Sequence, residues 1–139
     1  MIKIREAKKD DAEGVIALAK EFPSSTKLDE TFFHLAWDKK LTDPNSYIGV
    51  AEVGSSIVGY VSGYLHLAFY ANGTTFWVDE IFVKADKRKN GVGRNLMESI
   101  VPWIGSRDCK LIALATNNAK EFYSELSFQD SARYFKKYI

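Results

Sequence analysis

The sequence predicts a mixed α/β fold, a mostly antiparallel central sheet with helices on both faces, in the order β-α-α-β-β-β-α-β-α-β. Three observations carry this. Apolar spacing switches from helical to strand-like after Asp43-Pro44-Asn45. The dipeptide Asn72-Gly73 divides two long apolar runs, as a hairpin turn does. Gly91-Val92-Gly93 stands between an apolar strand and an amphipathic helix. The middle strands therefore read as an antiparallel meander and the later ones as βαβ units.

Ile2-Lys3-Ile4-Arg5 alternates apolar and polar residues, as a half-buried strand does. Asp10 reads as a helix N-cap with Glu13 three residues on, and Val15, Leu18, Ala19 and Phe22 share one helical face. Pro23-Ser24-Ser25 ends that helix. A second helix is predicted from about Asp29, with Phe32, Leu35 and Ala36 inward. Strands follow over Tyr47 to Val53, Ile57 to Leu67 and Thr75 to Val83, the last apolar at nearly every position and so central. A helix after Gly93 puts Leu96, Met97, Ile100, Val101 and Ile104 on its apolar side. Lys110 to Ala115 reads as a buried strand, Ala119 to Leu126 as a short helix and Ala132 to Lys136 as a last strand.

At 139 residues the chain has the length of one domain, residues 1–139. Apolar residues make up 46% and aromatic ones 14%, enough for a substantial core. A formal net charge of +1 argues against a general nucleic-acid binder, which needs a basic excess. No apolar run has transmembrane length and no secretory signal opens the chain, so no membrane partner and a cytoplasmic location are expected. The single cysteine, Cys109, excludes an internal disulfide, and His34 and His66 lack partners at metal-ligand spacing, so no metal is expected.

The stretch Arg88-Lys89-Asn90-Gly91-Val92-Gly93-Arg94 is the most informative. Glycines let the backbone approach a ligand, and a helix start offers unpaired N–H groups with the positive end of a dipole. Together they suit a pyrophosphate. A P-loop is excluded because no Gly-Lys-Ser/Thr follows, and the dinucleotide fingerprint because Leu96 replaces its third glycine.

Val78-Asp79-Glu80-Ile81-Phe82-Val83, followed at a short interval by Arg-x-x-Gly-x-Gly, resembles the cofactor motif of the GCN5-related N-acetyltransferases. Ala119-Lys120-Glu121-Phe122-Tyr123-Ser124-Glu125-Leu126-Ser127-Phe128 is similar to that family's Ala-x-x-Phe-Tyr-x-x-Leu-Gly-Phe. The resemblance covers essentially the whole chain and implies acetyl-CoA as co-substrate. It implies that residues 88–94 hold the pyrophosphate and that Ile81, Phe82 and Val83 pair with the pantetheine amides. Two departures stand out: Ser127 replaces a usual glycine, and Thr116 replaces an asparagine that contacts pantetheine, a role left to Asn117 or Asn118.

Acetyl transfer to an amine needs a base, stabilisation of the carbonyl oxygen and a proton for the leaving thiolate. Strict alternation puts Glu80 on one face with Phe76, Val78 and Phe82, where desolvation raises the basicity of a carboxylate, and the resemblance points to the same position. Asp79, on the opposite face with Trp77 and Ile81, is the alternative base. Tyr123 is the candidate acid, because a phenol holds its proton at neutral pH.

The acceptor expected is a small-molecule amine, in a pocket roofed by the loop Glu21 to Leu28 and the hairpin Leu67 to Thr75. Phe32, Phe33 and Trp37 read as core residues, in a region that the resemblance also assigns to the acceptor pocket. A protein lysine or N-terminal acetyltransferase, and a non-catalytic acyl-CoA-binding module, are the competing readings. A homodimer is left open.

Overall fold

The structure is a computed structural model that describes residues 1–139. Five strands form one sheet in sequential order: β1 (Ile2–Glu6), β2 (Ser46–Val53), β3 (Ser56–Ala68), β4 (Gly73–Val83) and β5 (Cys109–Ala113). The first four pair antiparallel, and β4 and β5 run parallel. Helices α1 (Ala12–Ala19) and α2 (Glu30–Thr42) cover one face. Helices α3 (Val92–Ile104) and α4 (Lys120–Glu125) cover the other.

The sheet separates two cores. Val50, Tyr60 and Phe82 meet Val15, Leu18 and Trp37 on the α1–α2 side. Val61, Phe76 and Val78 meet Val92, Leu96 and Ile100 on the α3 side. β3 is buried continuously from Val58 to Gly63 because both of its faces are covered.

Several expectations are corrected. Asp10 is not the N-cap: a 3₁₀ turn, Lys9–Asp11, leads into α1, and the Asp11 carboxylate reaches back to the Lys8 N–H at 2.7 Å and takes a bidentate pair from Arg5 at 2.7 and 2.8 Å. Arg5 also reaches Glu52 at 3.0 Å, so β1, β2 and the entry to α1 share one charge network, and Arg5 holds the Asp11 carboxyl below the usual carboxylate range.

α2 starts where expected, with Asp29 accepting from the Phe32 N–H at 3.1 Å. Its inward face is nevertheless Phe33 and Trp37, while Phe32 and Leu35 are exposed. Trp37 fixes that rotation: it is buried, stacks on Phe33 and donates to the Lys9 carbonyl at 3.3 Å. Val101 likewise turns outward from α3.

Asn72-Gly73 is not a two-residue hairpin turn. A 3₁₀ turn, Phe69–Ala71, joins the strands, and only Asn72 has positive φ, 58°. β5 is an edge strand with Lys110 and Leu111 exposed, and no strand follows α4: residues 127–139 carry no regular structure. The segment is held by side chains instead, with Tyr134 stacked on Trp77 and the Tyr138 hydroxyl 2.9 Å from Ser25 Oγ.

Candidate active site

One extra residue in β4 decides where the acids point. Ser62 lies opposite Glu80 and Gly63 opposite Val78, so Asp79 is a β-bulge. Past the bulge the alternation resets. Phe76 and Val78 face α3, whereas Glu80 and Phe82 face α1–α2. The expected grouping of Glu80 with Phe76 and Val78 is therefore wrong, and its grouping with Phe82 holds. Asp79 and Glu80 share the α1–α2 face, with Asp79 3.8 Å from Lys40 of α2. Gly63 makes the kink possible, since a Cβ there would stand 2.4 Å from the Phe76 ring.

Glu80 lies in a pocket with about 450 Å³ of empty space, part of it open to solvent, between α1, α2 and the sheet. The Tyr60 hydroxyl donates to Glu80 Oε1 at 2.6 Å. Burial and the adjacent carboxylate push the Tyr60 pKa far above that of a free phenol, so this hydrogen stays on Tyr60. Asp79 is 39% exposed, yet the packing around its carboxyl raises its pKa while Lys40 pulls it down. Leu28, from the loop between α1 and α2, closes one side, and a wider groove along that loop opens from the pocket at Glu80. The hairpin Leu67 to Thr75, expected as the second roof, lines neither pocket nor groove. Its Leu67, Phe69 and Tyr70 are exposed.

Behind Glu80 the sheet opens. β4 and β5 pair only from Thr74 to Trp77, so Val78 to Val83 have no neighbour on that edge. Lys84 N–H bonds to Val58 of β3, whereas the Val83 carbonyl takes Arg88 Nε at 2.8 Å. By alternation, the backbones of Ile81 and Val83 face the open edge. The Phe82 backbone, expected with theirs along pantetheine, pairs with Tyr60 inside the sheet.

The glycine loop follows directly. Arg88 is tied down through Val83 and packs its guanidinium 5.0 Å from the Phe82 ring. Lys89 (φ 65°) and Gly91 (φ 80°) adopt left-handed backbone, and α3 begins at Val92. The backbone N–H groups of residues 89–94 have no acceptor in the fold. They lie at the N-terminal, positive end of α3, with Lys89 and Asn90 exposed, Gly93 half-buried, and Arg94 beside Glu98 at 3.4 Å. This donor set, followed along β4 by an unpaired strand edge, fits a pyrophosphate and an amide-bearing arm.

α4 packs onto the same place. Phe122 lies so close to Gly93 that a Cβ there would be 3.2 Å from its ring. Tyr123 is buried beside Phe122 and Phe128, and burial raises its pKa. Its hydroxyl makes no hydrogen bond within the protein, yet Ser46 Oγ is the only sealed side-chain polar atom without a partner, so the phenol is not closed off. Thr116 caps the approach to α4, its Oγ1 accepting from the Ala119 N–H at 3.2 Å, and Asn118 is exposed. Ser127 stands at φ 71°, the conformation that the usual glycine would take freely.

Tyr60 and Lys40 are the site residues that sequence reasoning missed. Tyr60 sits in a strand buried on both faces, where alternation marks nothing. Two adjacent acids in a buried strand were the available sign of the bulge.

The family model for GNAT acetyltransferases matches residues 12–128. The fold superposes on a glucosamine-6-phosphate N-acetyltransferase from Arabidopsis thaliana (TM-score 0.87, 19% identity), covering 99% of this chain and 98% of that one. It superposes on the aminoglycoside N-acetyltransferase AAC(6′)-Iy (0.87, 17%), covering 100% and 95%, in a structure with CoA. A protein described as a transcriptional regulator from Bacillus halodurans C-125 also matches (0.91, 21%), with 100% of both chains covered. The motifs around Gly91 and Tyr123, the opened sheet and the matched span agree: this chain belongs to the GNAT family of acetyltransferases, whose acetyl donor is acetyl-CoA.

Proposed function

We propose that the protein transfers acetyl from acetyl-CoA to a primary amine of a small molecule by direct attack, with Glu80 as base and Tyr123 as acid. The observation that carries this reading is the placement of Glu80: hydrogen-bonded to Tyr60, at the floor of a partly enclosed pocket, next to the open edge of β4.

Arg88, Lys89, Asn90, Gly91, Val92, Gly93 and Arg94 bind the pyrophosphate, chiefly through backbone N–H groups. Ile81 and Val83 offer backbone partners to the pantetheine arm, and Asn118 lies at the start of α4 for a further contact. Acetyl-CoA supplies the activated acetyl group and the thiolate that leaves. Glu80 takes a proton from the amine, directly or through water, so that its lone pair can attack the carbonyl carbon. A backbone N–H on the free edge of β4 stabilises the carbonyl oxygen as it gains charge. Tyr123, its proton held more firmly by burial, gives that proton to the departing sulfur.

A small acceptor is favoured over a protein chain because the pocket is partly enclosed, with Leu28, Phe33 and Trp37 in its walls. The test is a panel of amines with acetyl-CoA, read by thiol release, in the wild type and in Glu80→Gln. Turnover of a small amine that falls about 10²- to 10⁴-fold in the variant supports the reading. A variant with wild-type turnover at pH 7 overturns the role of Glu80.

A further inference from the structure

We propose that the amine accepted by this site also carries an acid group, a carboxylate or a phosphate-type group, and that Lys40 binds it. The inference deepens the assignment of the Glu80 pocket as the acceptor site and rests on it. Its basis is the state of the charges around that pocket.

Every carboxylate that lines the pocket or the adjoining groove is engaged. Glu80 accepts from Tyr60 at 2.6 Å, Glu30 pairs with Lys20 at 2.9 Å, and Asp29 caps α2. Lys40 is different. It is the only cationic residue lining the pocket, its side chain is 33% exposed, and its ammonium makes no hydrogen bond. Its charged partner is Asp79, in a long ion pair at 3.8 Å that leaves its N–H donors unused, and the Tyr64 ring lies 5.8 Å off. Asp43, the other acid nearby, is taken by the Tyr64 hydroxyl and the Asn45 N–H.

An ammonium has three donors, and in a mostly apolar pocket its unused ones favour anionic oxygens. The same charge repels a second ammonium on the acceptor, so it selects against polyamines. Glu80 and Lys40 thus offer one wall for the reacting amine and another for an acid on the same molecule.

The experiment compares β-alanine, 3-aminopropylphosphonate, propylamine and 1,3-diaminopropane as acceptors, by thiol release from acetyl-CoA. Calorimetric titration of the same amines into the protein without acetyl-CoA provides a readout independent of turnover. The two acid-bearing amines are expected to exceed propylamine at least tenfold in kcat/KM and in affinity, and their relative order separates carboxylate from phosphate-type recognition. In Lys40→Met the ratio of acid-bearing to neutral amine should collapse toward one, through KM rather than kcat. Lys40→Arg should retain it. A ratio near one in the wild type, a preference for 1,3-diaminopropane, or a ratio unchanged in Lys40→Met overturns the proposal. An acid preference in binding with no acetyl transfer to any amine upholds the role of Lys40 and removes the catalytic reading instead.

Discussion

The Tyr60 hydroxyl reaches diagonally across the β3–β4 pair to Glu80 Oε1, 2.6 Å away, although Tyr60 stands opposite Phe82 in register and Glu80 opposite Ser62. Both pairs belong to the regular stretch of register beyond the bulge, which puts the two side chains on one face. With Glu80 as the proposed base, Tyr60 is a positioning residue, because it would act on the reaction through Glu80. Tyr60→Phe keeps the buried ring and removes only this donor. Turnover should fall about ten- to a hundredfold with acetyl-CoA binding retained, in keeping with about 1.5–3 kcal/mol for a hydrogen bond to a charged group. Steady-state kinetics beside a melting curve measure it; unchanged kcat would leave Tyr60 a packing residue alone.

The glycine loop makes a separate prediction about the cofactor. Acetyl-CoA should raise the melting temperature of the wild type, because it binds only the folded chain. Gly91→Glu strains a residue at φ 80° and sets a negative charge among the unpaired N–H groups. The shift should vanish in this variant while the fold, followed by circular dichroism, persists. A full shift in folded Gly91→Glu would place the pyrophosphate elsewhere.

Tyr123→Phe tests the acid. Loss of the hydroxyl should lower kcat and kcat/KM alike by about ten- to a thousandfold, because the proton matters only as sulfur gains charge. Burial raises the Tyr123 pKa, so its proton is present throughout the range below pH 10. The wild-type rate should therefore show no decline attributable to Tyr123 between pH 7 and pH 9. The same raised pKa makes a stability contribution that is complete below about pH 10 and is lost as pH rises further, where the unfolded chain ionises first. A rate profile that turns down near pH 8 with a midpoint abolished in Tyr123→Phe would contradict this assignment.

Ser127→Gly should stabilise the protein. Ser127 is held at φ 71°, which costs an L-residue about 1–2 kcal/mol, partly offset by the greater freedom of glycine in the unfolded chain. A net gain near 1 kcal/mol corresponds to a rise of about 3 °C, measurable by calorimetry. A lower melting temperature would reveal a contact of the serine side chain that outweighs the strain.

The fold class was legible because its signals are local. Helical spacing around Val15 and Leu96, alternation in Ile2 to Arg5 and the glycines before α3 each belong to one short segment. The open edge of β4 was implied by family likeness, and the glycine loop by the chemistry of helix starts. What escaped depended on partners distant in sequence. The rotation of α2 follows from Trp37 reaching Lys9, and the direction of Glu80 from a register shift against Gly63. The strand expected over residues 132–136 does not form, because that segment pairs with no other strand and is held by side chains, and Lys110 and Leu111 of β5 are exposed where a buried strand was expected. Tyr60 carries no mark in its own strand, where every neighbour is buried.

Asp79 is supernumerary. On either side of it β4 matches β3 residue for residue, and a chain without it would keep Val78 toward α3 and both Glu80 and Phe82 toward α1. Its effect is on the strand's direction, since a bulged strand bends, and β4 leaves β5 just before this point, after Trp77. Parity of side chains and curvature of the backbone are thus set independently. Deleting this one codon is expected to spare both groups proposed for proton transfer and to straighten β4 toward the chain after β5, closing the seam proposed for the acetyl donor.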